Sequence, residues 1–582
     1  MKKVLGGNML GLKKIRNGFM EIVKEHPVSV ISVLISTILY CFICEGGSDN
    51  TTLIVKCLAT FFLIIALGAL PLEAFRMYRI KNGDKDILKN MNYKIACSVV
   101  MFVSVILGFF TAIFFSFGHN IIAAKIGVSE LTVDLWEEYD YRIVSCFAVV
   151  MICAALYLFL KKSGCTFEEY TAKAFCGLMK AEIVFIVLVI GLMMIIGAFS
   201  VLIVEVDFVV YERVWILLLG FVQYPCALMG VSKTDDEISK FGKVMLNYVL
   251  TGLLTIAFVI IYAYIIKVIV KWMFPLHMVF GILTTLFGFG VFIWTMAQGV
   301  CEENLRKIFK YMPLLFIPCI IMEILSLGRQ ISLYGLTLTR YAGIAAIVFE
   351  IAYFVLYIYN MKKEKNAMPL VFCIIIAVSY IALLAPGINA YSVVIASHKG
   401  NVMKFLNENN SKVSKHAASE SYKTIAYSCG AVGKNYIHKK LTDEENEAMV
   451  EISGSGVEPS TNSLYIYANR YEDNSYDISG GYKKLYVANL EYYGYAGEET
   501  DGYEYDVTCG GKKIGVVNLE DVIKKLIELN KAGASGSEMN DAIKEPVPLN
   551  DGGKFIISYI SINCSEDMSS IGSIDANGYV LK

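Results

Sequence analysis

The chain has 582 residues, 56% of them hydrophobic, with a mean hydropathy of +0.55 and a formal net charge of -1. Such an apolar excess, concentrated before residue 390, is more than a soluble core needs and excludes an ordinary soluble globular protein. Basic residues sit in short loops and form no arm or stripe, which excludes a nucleic-acid footprint, so no nucleic-acid partner is expected.

The first 26 residues carry Lys2, Lys3, Lys13, Lys14, Arg16 and Lys24 and read as a cytoplasmic, amphipathic lead-in. They are not a cleavable signal peptide, because the first apolar run begins too late and no small-residue cleavage site ends it. Pro27 opens that run, and Val28 to Cys44 matches the ~17–25 residues that cross ~30 Å of hydrocarbon. Ten further spans are expected near 53–72, 95–117, 142–160, 183–204, 214–230, 248–270, 277–297, 311–327, 341–360 and 369–388, eleven in all.

Lys and Arg in short loops stay preferentially on the cytoplasmic side. One set of loops holds Arg76 to Lys94, Lys161 to Lys180, Lys233 to Lys243, Arg306 to Lys310 and Lys362 to Lys365, and is placed inside with the N-terminus. The opposite set is poor in base and often acidic, as in Glu45 to Asp49. The weak joint is 248–297. Only Met273 to Leu276 separates two spans there, and a re-entrant bend at Pro275 would flip the parity; two full spans are preferred, because each is long enough alone.

Polar residues on spans are candidates for partners or functions. Glu73, Glu182 and His277 stand near span ends, where reaching the interface explains them. Gln223 lies deeper, just before Tyr224-Pro225, where proline frees a carbonyl. A break of this kind either lines a transport site or is a packing kink. In the outer loop between the third and fourth spans, Ser129 to Asp140 clusters five acids around Trp136 and reads as a solvated short helix capped by Ser129, with Trp136 and Tyr139 at the headgroups.

The central stretch Arg329 to Tyr341, RQISLYGLTLTRY, places Arg329 and Arg340 beside spans that hold Glu323 and Glu350. Gly335 permits a sharp turn, and Thr337 can satisfy backbone groups freed at a helix end. Two readings stand open. Arg329, Tyr334, Thr337, Arg340 and Tyr341, with Gln223, form a binding site for an anionic group such as a lipid headgroup; or the two arginines pair with Glu323 and Glu350 and lock spans together.

After Pro386 the long apolar runs stop. Residues 391–450 read as helical, with a capping box from Thr442 to Glu445. From Leu464 the apolar period changes to two, in LYIYANRY, YKKLYVANLEYY, YEYDVTC, KKIGVV and KFIISYISINC, and one helix, Leu519 to Asn530, follows an Asn518 cap. The strands are rich in tyrosine, which suits either a platform for sugars or peptides or a half-exposed sheet face. Twelve of the 15 cysteines precede residue 390; Cys429, Cys509 and Cys564 follow, allowing one disulfide at most. Metal-ligand spacing is absent and no nucleophile, base and orienter assemble, so no metal, cofactor or catalytic residue is expected.

Three pieces carry a family resemblance: Gln223-Tyr224-Pro225-Cys226-Ala227-Leu228-Met229-Gly230; the pattern Arg329, Ser332, Tyr334, Gly335, Leu336, Thr337, Arg340, Tyr341, after a span with Pro313 and Pro318; and Pro386 to Ala390. Together they resemble the bacterial polytopic membrane family called domain of unknown function 4153, over most of the chain. The family pattern places an acid after that threonine, where Leu338 stands here, so an acid–arginine pairing is missing. The resemblance implies an integral membrane protein and no particular chemistry.

The expected architecture is a polytopic α-helical membrane domain of about eleven spans with a C-terminal α/β extracytoplasmic domain, in a bacterial cytoplasmic membrane. Its parts are the lead 1–26, the spans 27–388, a membrane-proximal helical section 389–450 and a tyrosine-rich mixed α/β domain 451–582. The leading functional expectation is a non-enzymatic envelope protein that senses, binds or scaffolds through its outer domain. Besides the lipid bilayer, its expected partner is an anionic lipid or a cell-wall component. A transporter of an anionic or lipid-linked substrate and a polyprenyl-phosphate-dependent transferase are the alternatives.

Overall fold

The computed structural model describes residues 18–44, 50–84, 86–117, 119–204, 206–234, 237–271, 279–363, 366–407, 415–453, 463–469, 482, 484–493, 503–509, 512–531, 536–550, 552–565 and 571–582. The chain divides into two compact units, Met1–Gly400 with Thr424–Tyr436, and Asn401–Lys423 with Ile437–Lys582. The helical section 389–450 is therefore shared between the units.

The first unit is helical throughout its described residues. Leu, Ile, Val and Phe runs have no water partner in hydrocarbon, so the backbone must close its hydrogen bonds within each segment. Helix α1 (Gly18–Glu25) meets α2 (Pro27–Ile43) at a bend of 111°. There follow α3 (Asn50–Lys81), α4 (Met91–Ser116), α5 (His119–Ile126), α6 (Glu130–Ser163), α7 (Phe167–Leu202), α8 (Phe208–Ser232) and α9 (Lys240–Val270). After them come α10 (Val279–Val300), α11 (Glu303–Phe309), α12 (Ile317–Tyr334), α13 (Leu338–Lys363), α14 (Val371–Leu383) and α15 (Ala390–Asn407). Side chains cap the starts where the sequence supplies them: Asn90 for α4, Ser129 for α6, Thr166 for α7 and Asp207 for α8.

Among the described residues, nine helices are long and apolar enough to cross a membrane, and ten if the bent pair α1–α2 counts as one span. Eleven is therefore not the count by this measure. The expected span 28–44 belongs to the bent pair, and the expected span 369–388 coincides with Met368–Leu383, a shorter apolar helix. The doubtful region 248–297 contains two helices that each pass alone, Lys240–Val270 and Phe280–Val300. Met273 to Leu276 and His277 lie outside the described residues.

The acidic run after Ser129 is not a separate short helix: α6 continues without a break from Glu130 to Ser163. Ser129 does cap it, accepting from the Thr132 N–H. Glu73 is not at an interface but buried, accepting from the Val28 N–H at 2.6 Å and the Ser29 hydroxyl at 2.7 Å. Its carboxylate thus occupies the N-terminus of α2, where orphan N–H groups and the helix dipole favour negative charge.

The second unit holds α16 (Lys415–Lys423), α18 (Asp443–Ser453), a seven-stranded sheet and two further helices; α17 (Gly430–Lys440) starts in the first unit. Thr442 and Glu445 make the expected reciprocal cap of α18. The strands are β1 (Ser463–Asn469), β2 (Leu485–Tyr493), β3 (Glu504–Cys509), β4 (Lys512–Asn518), β5 (Val547–Pro548), β6 (Lys554–Ser565) and β7 (Ile571–Leu581). They pair antiparallel in the order β1-β6-β7-β2-β3-β4, with β5 on β6. Helix α19 (Glu520–Lys531), capped by Asn518 as expected, covers one face through Ile523, Leu526 and Ile527, with α20 (Gly536–Asp541) beside it. Tyr486, Tyr492, Tyr503 and Tyr505 pack towards this covered core and build no outward platform. Tyr471, Tyr476 and Tyr495 lie outside the described residues, as do the side chains of Tyr465, Tyr467 and Tyr493.

Candidate functional site

The central stretch is a tied joint between α12 and α13. Gly335 ends α12 at φ +73°, a conformation a Cβ disfavours, and its space is closed by the His398 ring, 2.9 Å from where a Cβ would stand. Thr337 caps α13 by accepting from the Arg340 N–H at 3.3 Å. The Arg340 guanidinium donates to the Gly335 carbonyl at 2.6 Å, His398 Nε2 contacts the Leu336 carbonyl at 2.7 Å, and the Tyr341 hydroxyl donates to the Ile388 carbonyl. Arg329 is exposed, and the Tyr334 side chain lies outside the described residues. His398, which has no motif around it in the sequence, is thus a structural partner of the turn.

The stretches Gln223 to Gly230 and Pro386 to Ala390 are joints as well. Gln223 ends a π-turn, Leu219–Gln223, and donates from Nε2 to Glu182 at 2.7 Å. Glu182 does not start a helix, since α7 begins 15 positions earlier, at Phe167. Gly230 crosses Gly177 so closely that a Cβ on Gly177 would stand 2.3 Å from the Gly230 carbonyl oxygen. Asn389 caps α15, accepting from the Ser392 N–H at 3.0 Å.

Glu323 and Glu350 do not pair with the arginines. Glu323 and Arg329 are six residues apart on one helix, which at ~100° per residue puts them on different faces. Arg340 and Glu350 are separated by ten residues, roughly 15 Å along the axis. Instead the two glutamates face each other across α12 and α13 within electrostatic reach, 0% and 1% exposed. Thr284 on α10 donates to Glu323 Oε1 at 3.3 Å. Among the described residues, Glu323 Oε2 and both oxygens of Glu350 have no hydrogen-bond partner.

One turn beyond Glu350 the interior becomes aromatic. Tyr353 is buried and accepts from Trp294 Nε1 at 2.8 Å, and Phe287, Phe316 and Phe354 close around both rings. A further turn on, the Tyr357 hydroxyl donates to the Lys310 carbonyl at 2.6 Å and borders a basin of about 240 Å³. Sequence reasoning found both glutamates but not their juxtaposition, and it did not find the basin.

Outside the spans, the Cys429 thiol is fully buried, and burial followed by the Glu138 carboxylate pushes it up to about 12. Cys429 and Cys509 are both free thiols, and the side chain of Cys564 lies outside the described residues. Among the described residues no group of three His, Cys, Asp or Glu side chains could hold a metal ion.

No family model, curated protein or solved structure matches the chain.

Proposed function

We propose that this chain is a multi-pass membrane carrier that binds and releases a proton at Glu323 and Glu350. One observation supports the reading: two carboxyl groups lie within electrostatic reach of each other in the interior of a helical membrane unit, with three of their four oxygens lacking a hydrogen-bond partner among the described residues. Adjoining carboxyls in a dry interior need a counter-charge, either a shared proton or a cation. A metal ion needs more ligands than stand here among the described residues, whereas a proton needs none beyond the pair. Intramembrane acids of this kind commonly serve as proton relays. A bacterial cytoplasmic membrane with the N-terminus inside, an α/β unit outside, and membership of the family that the central motif resembles belong to the same proposal.

Infrared difference spectra of the protein in bilayers, recorded as the pH is lowered, test the pair. A carboxylic-acid C=O band is expected to grow in the wild type and to be missing in E323Q/E350Q. Identical spectra from the two proteins at every pH would remove the proton site.

A second reading is favoured by the α/β unit, which has its own core and a sheet face where Leu485 and Val487 are 58% and 68% exposed. In that reading the unit binds an envelope component and the helices anchor it.

A further inference from the structure

The basin beside Tyr357 has two cationic side chains and an amide on its wall. Arg306 commits Nε to the Gln298 carbonyl at 2.9 Å, which orients the guanidinium and leaves its terminal nitrogens without a partner among the described residues. Lys310 holds its backbone carbonyl to Tyr357, and its ammonium has no partner among the described residues. Asn360 accepts the Ala367 N–H on Oδ1 at 2.8 Å, so what it has left to offer is the NH2 group. Thr166, also on the wall, is the N-cap of the 36-residue helix α7, whose dipole presents partial positive charge there. Among the described residues, Glu168 is the only acid on the wall, against two cations.

The geometry points to a binding site for a small anion bearing phosphate or carboxylate, held by Arg306, Lys310 and Asn360. A bare basic loop would scatter its charges into solvent. Here Asn360 Oδ1 and the Nε of Arg306 are already engaged, so the Asn360 NH2 group, the Arg306 terminal nitrogens and the Lys310 ammonium remain as donors around one cavity of about 240 Å³, with the Glu168 carboxylate beside them. Arginine and an amide suit the planar or tetrahedral oxygens of such groups. Thr166 and Arg306 to Lys310 belong to segments expected to face the cytoplasm, and Asn360 stands at the end of a span next to the loop Lys362 to Lys365, placed on the same side. The basin lies two helical turns from Glu350, roughly 10 Å along α13, with the ring cluster of Trp294 and Tyr353 between them. That the anion is the carried solute rests on the proton-coupled reading; that it binds does not.

The test uses the full chain in nanodiscs of phosphatidylcholine, with pyrophosphate as the soluble probe and added phosphatidylglycerol as the lipid probe. Pyrophosphate, phosphatidylglycerol or both are expected to raise the unfolding temperature. In R306Q/K310Q the effect should weaken by at least about tenfold in apparent affinity, the worth of one or two charge-assisted hydrogen bonds. Both side chains face the solvent-open basin, so the fold should survive, and N360D, which adds a repelling charge, is an independent second variant expected to weaken the effect. A response to pyrophosphate identifies a soluble anion, and a response to phosphatidylglycerol alone identifies a lipid headgroup. No response to either probe in the wild type, or the same response in R306Q/K310Q and N360D, overturns the site. E323Q/E350Q should bind the probes as the wild type does, so a failed proton site and a failed anion site are separable.

Discussion

At the scale of single residues, polar side chains inside the helical unit are mostly spent on backbone ends. Glu73 satisfies the start of α2, Arg340 the end of α12, and Thr337 the start of α13. Replacing Glu73 by alanine should cost about 1–2 kcal/mol, the usual worth of a helix cap. E73Q keeps one acceptor and should lose less, a ranking that unfolding temperatures of the purified protein would check. Equal losses in the two variants would mean that charge rather than the cap holds α2. Glu323 and Glu350 stand apart from this pattern, since three of their four oxygens have no hydrogen-bond partner among the described residues.

At the scale of elements, the helices meet where side chains are absent. Without a hydrophobic drive between segments in lipid, close approach of small residues supplies the packing. Gly177 on α7 and Gly230 on α8 bring the two backbones into contact. A methyl group at Gly230 would stand 2.6 Å from the Gly177 carbonyl carbon. G230A should therefore destabilise the protein by about 1–3 kcal/mol through forced separation of the helices. Gly191, with open space around it, is the control: G191A should leave the unfolding temperature nearly unchanged. In the sheet, Gly578 has the same role, because a Cβ there would meet the Ile556 carbonyl oxygen at 1.9 Å.

At the scale of the molecule, the two units have separate cores, one of membrane helices and one of a sheet with its covering helices. If the N-terminus is cytoplasmic and an odd number of helices cross, the α/β unit emerges on the far side. A periplasmic-type alkaline phosphatase fused after Lys582 should then be active in a bacterial host. A silent fusion whose green-fluorescent counterpart glows would put the unit in the cytoplasm.

What the chain determined by itself is what depends on neighbours in sequence. Apolar runs of span length, the Ser129 and Asn518 caps, the Thr442 to Glu445 box and the alternation in β2, β3, β4 and β6 were legible because each is set within a few residues. Strand β7 was missed although Ile574, Ala576 and Val580 point inwards in alternation, since its Gly, Asp and Asn resemble turn composition. Tertiary structure alone decided which helix faces meet. It set Glu323 against Glu350 rather than an arginine, Gln223 against Glu182, and Arg306, Lys310 and Asn360 around one basin. Periodicity states which face of a helix is apolar, but in a membrane nearly every face is apolar, so the partner of each polar residue is chosen by packing between segments far apart in the chain.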